Sequence, residues 1–321
     1  MTQRVGFIVF DGMTMLDLSG PGEVLHQARR AGLPYTPVLV SPHGGTVTAS
    51  SGLAVGGTTA VAEAGALDTV IVVGADRLTE PVLDEDLLAA VRTVAGRAER
   101  VASVCTGAFV LAELGLLDGR RATTHWRHTQ TLASRYPRVR VQPDVIHVRD
   151  GRYVTSAGIT AGIDLALSLV EDDYGAEAAR GIARELVVFM QRPGGQSQFS
   201  ADRDMPRVRS SVLQAVTAAV QADPAGEHTL PSMSAAAAVS ARHLTRLFQA
   251  ELGTTPARWV ERVRLGLAQE LVLEGHSITK AAQQSGFGSD ETLRRAFGRH
   301  LGITPTEYRT RFATTQPIPL S

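Results

Sequence analysis

The sequence predicts an α/β domain, with a mostly parallel sheet and helices on both faces, followed by a separate all-α domain with two helix-turn-helix units. Three observations support this prediction. A chain of 321 residues is longer than one small core requires. Apolar strand patterns alternate with helix patterns over residues 1–190, and a purely helical pattern with an internal repeat follows.

The α/β half is predicted from runs of Val and Ile that alternate with amphipathic segments. Strands are predicted at 4–10, 34–41, 67–75, 100–105 and 153–158, and helices at 19–32, 85–99, 107–117 and 162–175. Prolines weaken the prediction at 34–41. Continuous apolar strands of this kind are typical of parallel sheets that are buried on both faces.

Composition argues against several kinds of site. The single cysteine excludes an intrachain disulfide and argues against a cysteine-based zinc site. The nine histidines lack paired ligand spacing, so we expect no metal and no cofactor. No window approaches about 18 consecutive apolar residues, and no signal-peptide pattern is present. We therefore expect no membrane partner and a cytoplasmic location, at the nucleoid when DNA is bound.

Charge is distributed unevenly along the chain, although the formal net charge is zero. Residues 207–321 contain 13 basic and 9 acidic side chains, a net of +4, and the other residues contain 19 and 23, a net of −4. A mildly basic C-terminal part joined to a mildly acidic N-terminal part fits nucleic-acid binding at the C-terminal end.

A segment rich in Pro, Gly, Gln and Ser separates the two patterns at 191–206 (QRPGGQSQFSADRDMP). Such composition predicts a linker between a domain at 1–190 and a second domain at 207–315. An ordered surface loop inside one domain is the alternative. Residues 316–321 are predicted to be a disordered tail.

The helical half contains a repeated unit of about 20 residues. The segments 240–259 (SARHLTRLFQAELGTTPARW) and 289–308 (SDETLRRAFGRHLGITPTEY) align at a constant offset of 49. Each begins with a serine suited to cap a helix, and each follows a short Ala-containing helix and a turn, at 232–239 and 277–288. A helix, a turn and a second helix with a polar, basic outer face form a helix-turn-helix, whose second helix enters the major groove of DNA.

Either unit alone could be an amphipathic helix pair whose charges are merely solvated. The duplication favours two DNA-binding helices that lie in adjacent major grooves. The motifs RHLTRLFQAELGTTPARWV and SITKAAQQSGFGSDETLRRAFGRHLGITPTEYR resemble an AraC-type DNA-binding domain over residues 228–313, with a connecting helix at about 256–274.

The resemblance implies contacts with double-stranded DNA from side chains on both second helices. These side chains are Arg242, Thr245 and Arg246 in one groove, and Arg294 and Arg295 in the next. Whether each meets a base or a phosphate is left open. Asp290 and Glu291 are unfavourable near phosphates, so they could cap the helix or accept a cytosine amino group.

The stretch VASVCTGAFVLA (101–112) contains the only cysteine, at the end of a predicted strand and the start of a predicted helix. This is the pattern of a nucleophile elbow, in which Gly107 permits a tight turn. The helix N-terminus is expected to lower the pKa of the Cys105 thiol and favour the thiolate. A small buried cysteine at a strand end is the alternative.

Three further positions bear on the role of Cys105, because strand ends in such a sheet converge on one crevice. Asp17 is expected just before the first helix, Gly74 at a strand end, and His125 within RATTHW. With Cys105, they make residues 4 to 190 similar to the ThiJ/PfpI family, which implies a flavodoxin-like sheet. The resemblance implies a pocket formed by Asp17, Gly74, Cys105, Thr106 and His125.

The peptidase-like branch of that family has His directly after the cysteine, where this chain has Thr106. The peptidase dyad is therefore incomplete, and amidotransferase activity is unsupported. The CTGAF and ATTHW motifs with Asp17 resemble isonitrile hydratases, in which the Asp, the Cys and the following Thr are the working set. Asp17, Cys105 and Thr106 are thus the candidate catalytic residues.

The two domains joined by RPGGQSQF (192–199) resemble the GlxA-type regulators. That resemblance implies an AraC-family transcriptional regulator that binds specific DNA and responds to an unidentified small metabolite near Cys105, without catalysis. The alternative is an isonitrile-hydratase-like enzyme with a DNA-binding tail. A homodimer is expected, with apolar helices such as 162–170 (GIDLALSLV) packed across a two-fold axis.

Overall fold

The computed structural model describes residues 2–190, residue 196 and residues 210–312. The chain divides into two compact units, Met1–Arg192 and Pro193–Ser321. The predicted linker at 191–206, except residue 196, and the predicted tail at 316–321 lie outside the described residues. The domain bounds 1–190 and 207–315 therefore remain predictions.

The N-terminal unit is built on an eight-stranded sheet. Its strands are β1 (Gln3–Ile8), β2 (Tyr35–Ser41), β3 (Gly45–Thr48), β4 (Ala54–Ala60), β5 (Thr69–Val72), β6 (Arg100–Ser103), β9 (His147–Asp150) and β10 (Tyr153–Ser156), and they lie in the order β3-β4-β2-β1-β5-β6-β10-β9. All pairings are parallel except β3 with β4 and β9 with β10 at the two edges. A separate parallel pair comprises β7 (Arg121–Ala122) and β8 (Arg140–Val141).

Five α-helices of this unit are α1 (Met15–Arg30), α2 (Glu85–Ala95), α3 (Gly107–Glu113), α4 (Thr129–Arg135) and α5 (Ala161–Glu185). Helix α5 is kinked at Gly175, where φ is 84°. Helix α1 starts earlier than predicted, so Asp17 lies in its first turn rather than before it. The prediction started the helix at SGPG, whereas these residues lie inside α1. Gly20 lets α1 pack closely on Ile163 of α5, where a Cβ would lie 3.2 Å from Cγ1.

All regular secondary structure in the described residues of the C-terminal unit is helical. It contains α6 (Ser211–Ala222), α7 (Leu230–Ala236), α8 (Ala241–Leu252), α9 (Pro256–Leu273), α10 (Ile278–Gln284), α11 (Asp290–Leu301) and α12 (Pro305–Phe312). The repeated helices α8 and α11 are capped by the Ser240 and Ser289 side chains. Each ends at a left-handed glycine, Gly253 or Gly302. The predicted fold class, α/β followed by two helix-turn-helix units, is confirmed.

No helix in the described part of the chain is long and apolar enough to cross a membrane.

The sequence predicted that apolar helices such as 162–170 pack across a two-fold axis. The apolar side chains of 162–170 are not a free face for a two-fold contact, because Leu165, Leu167 and Val170 are already buried in the chain's own core. That expected use of α5 is wrong, since α1 and the sheet already cover this part of the helix.

Candidate ligand crevice and nucleic-acid interface

Cys105 lies at a sharp turn between β6 and α3, in the left-handed conformation with φ at 56°. A non-glycine residue adopts this conformation at a cost of about 1 kcal/mol. The turn is held on both sides, because the Cys105 N–H donates to the Ala157 carbonyl at 3.1 Å. The Thr124 hydroxyl donates to the Cys105 carbonyl at 2.7 Å. A Cβ at Gly107 would collide with the Val72 carbonyl, so the turn requires a glycine there.

Asp17 reaches the same point from the first turn of α1. Its Oδ2 accepts the Gly74 N–H at 2.9 Å, and its carboxyl is a hydrogen-bonding neighbour of the Cys105 thiol. Gly74 has no room for a side chain, because a Cβ would lie 2.6 Å from Asp17 Oδ2 and 2.8 Å from Cys105 Cβ. The backbone at Gly74 therefore touches both functional groups.

Burial controls protonation at this pair. It raises the pKa of Asp17 to about 7, and the Gly74 N–H and the Cys105 thiol only partly oppose it. Burial, followed by the charge of Asp17, raises the pKa of Cys105 to about 12, against the N–H groups of Thr106 and Ile159. Cys105 is therefore a thiol at neutral pH. The expectation of a helix-activated thiolate is wrong, because desolvation outweighs the helix N-terminus.

The Thr106 hydroxyl, next to Cys105, forms hydrogen bonds to the backbone after another strand. This buried hydroxyl accepts the Ala75 N–H at 2.8 Å and donates to the Ala75 carbonyl at 2.7 Å. These two bonds join the chain after β5 to the turn after β6. The hydroxyl is thus committed to the backbone and positions the turn.

His125 lies against Gly158, where any Cβ would collide with the imidazole ring. Its Nδ1 accepts the Arg127 N–H at 3.2 Å, which places the proton of the neutral ring on Nε2. Burial, with nearby His128 and Arg127, lowers the pKa of His125 to about 4. The structure therefore brings Asp17, Gly74, Cys105 and Thr106 to one point, and places His125 against the neighbouring segment 157–159.

One contributor was missed in the sequence. Ile159 has a left-handed φ of 48°, and its N–H approaches the Cys105 sulfur just before α5. Its side chain is 39% exposed, next to a fully buried pair. The sequence signal for this contributor is the small-residue stretch SAGIT (156–160) between a strand and a helix.

The exposed face of α8 presents two of the predicted DNA contacts. Arg242 and Arg246 are exposed, and Arg246 Nη2 lies 3.1 Å from His243 Nδ1. Thr245 is half-buried, and its hydroxyl donates to the Ala241 carbonyl at 2.9 Å within the helix. The arginines thus stand on the outer surface of the helix.

The face of α11 presents Arg294 and Arg295, both exposed. Arg295 Nε lies 3.7 Å from Glu291 Oε1 on the same helix. Asp290 Oδ2 accepts the Thr279 hydroxyl at 3.0 Å, which joins the start of α11 to α10. The cap of α11 is Ser289, so Asp290 does not take the capping role left open for it and instead makes a hydrogen bond inside the helix-turn-helix.

Among the described residues, no group of three or more His, Cys, Asp or Glu side chains could hold a metal ion.

Comparisons with known proteins cover both units. Residues 3–172 match the DJ-1/PfpI family, and residues 233–311 match a helix-turn-helix domain. The HTH-type transcriptional regulator GlxA of Rhizobium meliloti is 30% identical over 96% of both chains. The isonitrile hydratase of Pseudomonas putida is 39% identical over 58% of this chain and 78% of its own length.

A solved structure shares the fold of the N-terminal unit. A ThiJ/PfpI family protein from Pseudomonas syringae superimposes with a TM-score of 0.53 at 24% identity, and the match covers 67% of this chain and 81% of that chain.

Proposed function

We propose that this chain, which belongs to the DJ-1/PfpI family and to the HTH-type transcriptional regulators with an AraC-type helix-turn-helix domain, regulates transcription in response to a small metabolite bound beside Cys105. The DNA-binding part is carried by α8 and α11. Both helices start at a serine cap and end at a left-handed glycine, and both direct arginines outward. Such helices fit two major grooves on one face of the duplex.

One observation at Asp17 supports the proposed binding of a small metabolite. Asp17 Oδ1 is buried and has no hydrogen-bond partner among the described residues. Leaving such an atom unpaired costs about 1–3 kcal/mol, which a ligand with a hydrogen-bond donor would recover. The donor could be an ammonium, an amide N–H or a hydroxyl, and the neighbouring Cys105 thiol and Ile159 side chain would contact its apolar part.

DNA binding is tested with the full chain. An operator is first selected from a randomised duplex pool, and its affinity is measured over a range of salt concentrations. Arg246→Ala and Arg295→Ala should each weaken operator binding about tenfold or more, because a bidentate guanine contact contributes about 1–3 kcal/mol. Arg92→Ala is the charge-matched control, since Arg92 is exposed on α2 of the other unit.

The outcomes separate the roles of these arginines. Equal loss on operator and on random DNA would assign phosphate contacts. No salt-dependent binding of the full chain to any DNA would contradict a DNA-binding function.

The crevice is tested by thermal stability with small amines, betaines, amino acids, amides and isonitriles. A true effector should raise the Tm of the wild type and of Asp86→Ala, whose carboxyl is exposed, but not of Asp17→Ala. A compound that stabilises all three proteins equally binds elsewhere. No stabilisation by any compound would count against the crevice as the sensing site.

A second function is favoured by the isonitrile hydratase relative and by the positions of Asp17, Cys105 and Thr106. The Cys105 S–H would add across the terminal carbon of an isonitrile to give a thioimidate, with Asp17 carrying the proton. Water would then displace the thiol and leave an N-substituted formamide. Formamide release from n-butyl isonitrile that Cys105→Ala abolishes would support this activity, and a wild-type rate equal to buffer would exclude it for that substrate.

We also propose that the chain acts as a cytoplasmic homodimer that reads paired half-sites. Leu16 on α1 is 41% exposed and Ile159 is 39% exposed, both beside residues of the crevice. These apolar side chains are candidates for a two-fold contact. Light scattering of the wild type and of Leu16→Lys should give a dimer and a monomer, respectively, and a monomeric wild type would reject the proposal.

A further inference from the structure

The two helix-turn-helix units have separate hydrophobic cores. The first core includes Leu213, Leu244, Phe248 and Trp259, and the second includes Leu265, Ala268, Leu293 and Phe297. Helix α9 contributes its N-terminal half to the first core and its C-terminal half to the second. With 18 residues, α9 is about 27 Å long. A single helix between two cores can bend and twist, so another contact is needed to fix the angle between them.

Arg264, near the middle of α9, supplies such a contact. Its Nε donates to the Pro224 carbonyl at 2.9 Å, and its Nη2 donates to the Gly226 carbonyl at 2.9 Å. Both carbonyls belong to the loop between α6 and α7 of the first unit. The guanidinium is partly buried, and both bonds are charge-assisted, which makes them stronger than bonds between neutral groups.

The turn of the second unit packs on the same point. Gly286 lies between α10 and α11 with φ at 79°. A Cβ there would lie 2.8 Å from Arg264 Nε, 2.9 Å from Ala225 Cα and 3.0 Å from the Pro224 carbonyl oxygen. Three parts of the domain thus meet in one junction: the loop between α6 and α7, the turn between α10 and α11, and Arg264.

We propose that Arg264 is a positioning residue for DNA recognition, which fixes α8 and α11 at one separation and angle and so makes the protein require one spacing between the two base sets it reads. The proposal rests on the DNA-binding function above. Arg264 need not touch DNA itself, because its hydrogen bonds are made to the protein backbone.

Spacing dependence tests the proposal in the full chain. Operators that carry one extra base pair between the two contacted base sets rotate one set by about a tenth of a turn. The wild type should lose about tenfold or more in affinity, as for a mismatched site. In Arg264→Ala the extra base pair should lower the affinity less than about threefold, and in Arg264→Lys the loss should be intermediate. Arg262→Ala removes an exposed arginine of the same helix and should behave as the wild type. An unchanged penalty in Arg264→Ala would overturn the proposal.

A second measurement needs no DNA. Two spin labels report the distance between the two helix-turn-helix units. They are attached at Ala235→Cys in α7 and at Gln283→Cys in α10, and Cys105→Ser removes the native thiol. Arg264→Ala should broaden this distribution and Arg262→Ala should not, whereas equal widths would refute the junction. If the wild type selects no DNA sequence, the DNA-binding function fails, while the label distances still decide whether Arg264 fixes the two units.

Discussion

Replacing Asp17 by asparagine should remove a pH-dependent loss of stability from the N-terminal domain. Asp17 is fully buried, and burial raises its pKa from 3.8 to about 7. In the unfolded chain the carboxyl returns to the lower value. Because the folded pKa is the higher one, the stability that the group contributes is fully present below pH 3.8 and is lost as the pH rises through 7.

The size of this loss follows from the two pKa values. The pKa of Asp17 rises from 3.8 in the unfolded chain to about 7 in the folded chain. The unfolding free energy therefore falls by about 4 kcal/mol as the pH increases from 3.8 to above 7. In Asp17→Asn, the amide would keep an oxygen that accepts the Gly74 N–H and would carry no charge. The variant should therefore gain stability relative to the wild type as the pH rises from about 4 to about 8.

Urea unfolding at about pH 4, 6 and 8 measures this difference. Trp126 fluorescence in a Trp259→Phe background reports on the N-terminal domain, because these are the only two tryptophans. The free-energy difference between Asp17→Asn and the parent should change by about 4 kcal/mol across this range in favour of the variant. A difference that is constant with pH would show that Asp17 does not titrate near 7 and would refute the reasoning.

Two more predictions concern the supports of the crevice. Thr106→Val should lower the unfolding free energy by about 2–5 kcal/mol, because it leaves the Ala75 N–H and carbonyl unpaired, whereas Thr106→Ser should stay near the wild type in urea titrations. An undisturbed Thr106→Val would mean that water replaces the hydroxyl. Gly158→Ala should expel the His125 ring and raise its pKa from about 4 towards 6.5, measured by NMR titration of the imidazole. A pKa that stays near 4 would show that the ring keeps its place.

Much of the fold could be predicted because its signals are local. The core strands β1, β5, β6 and β10 lie in short runs that are mostly buried, and the capping serines and closing glycines mark α8 and α11. The edge strands β3 and β9 were missed, and so was β4, which lies next to β3. They contain Gly, Thr and charged residues, and only pairing with a neighbour makes them strands.

The sequence by itself determined the two-domain organisation, the turn at Cys105 and the duplicated DNA-binding unit, because periodicity, caps and repeats act over a few residues. The family resemblance already placed Asp17, Gly74 and Cys105 in one pocket. Only the tertiary structure decided that Asp17 Oδ2 accepts the Gly74 N–H, and that the Cys105 thiol is protonated. It also decided that Arg264 joins the two helix-turn-helix units. The physical reason is that desolvation and packing depend on every atom around a group, and those atoms come from distant parts of the chain.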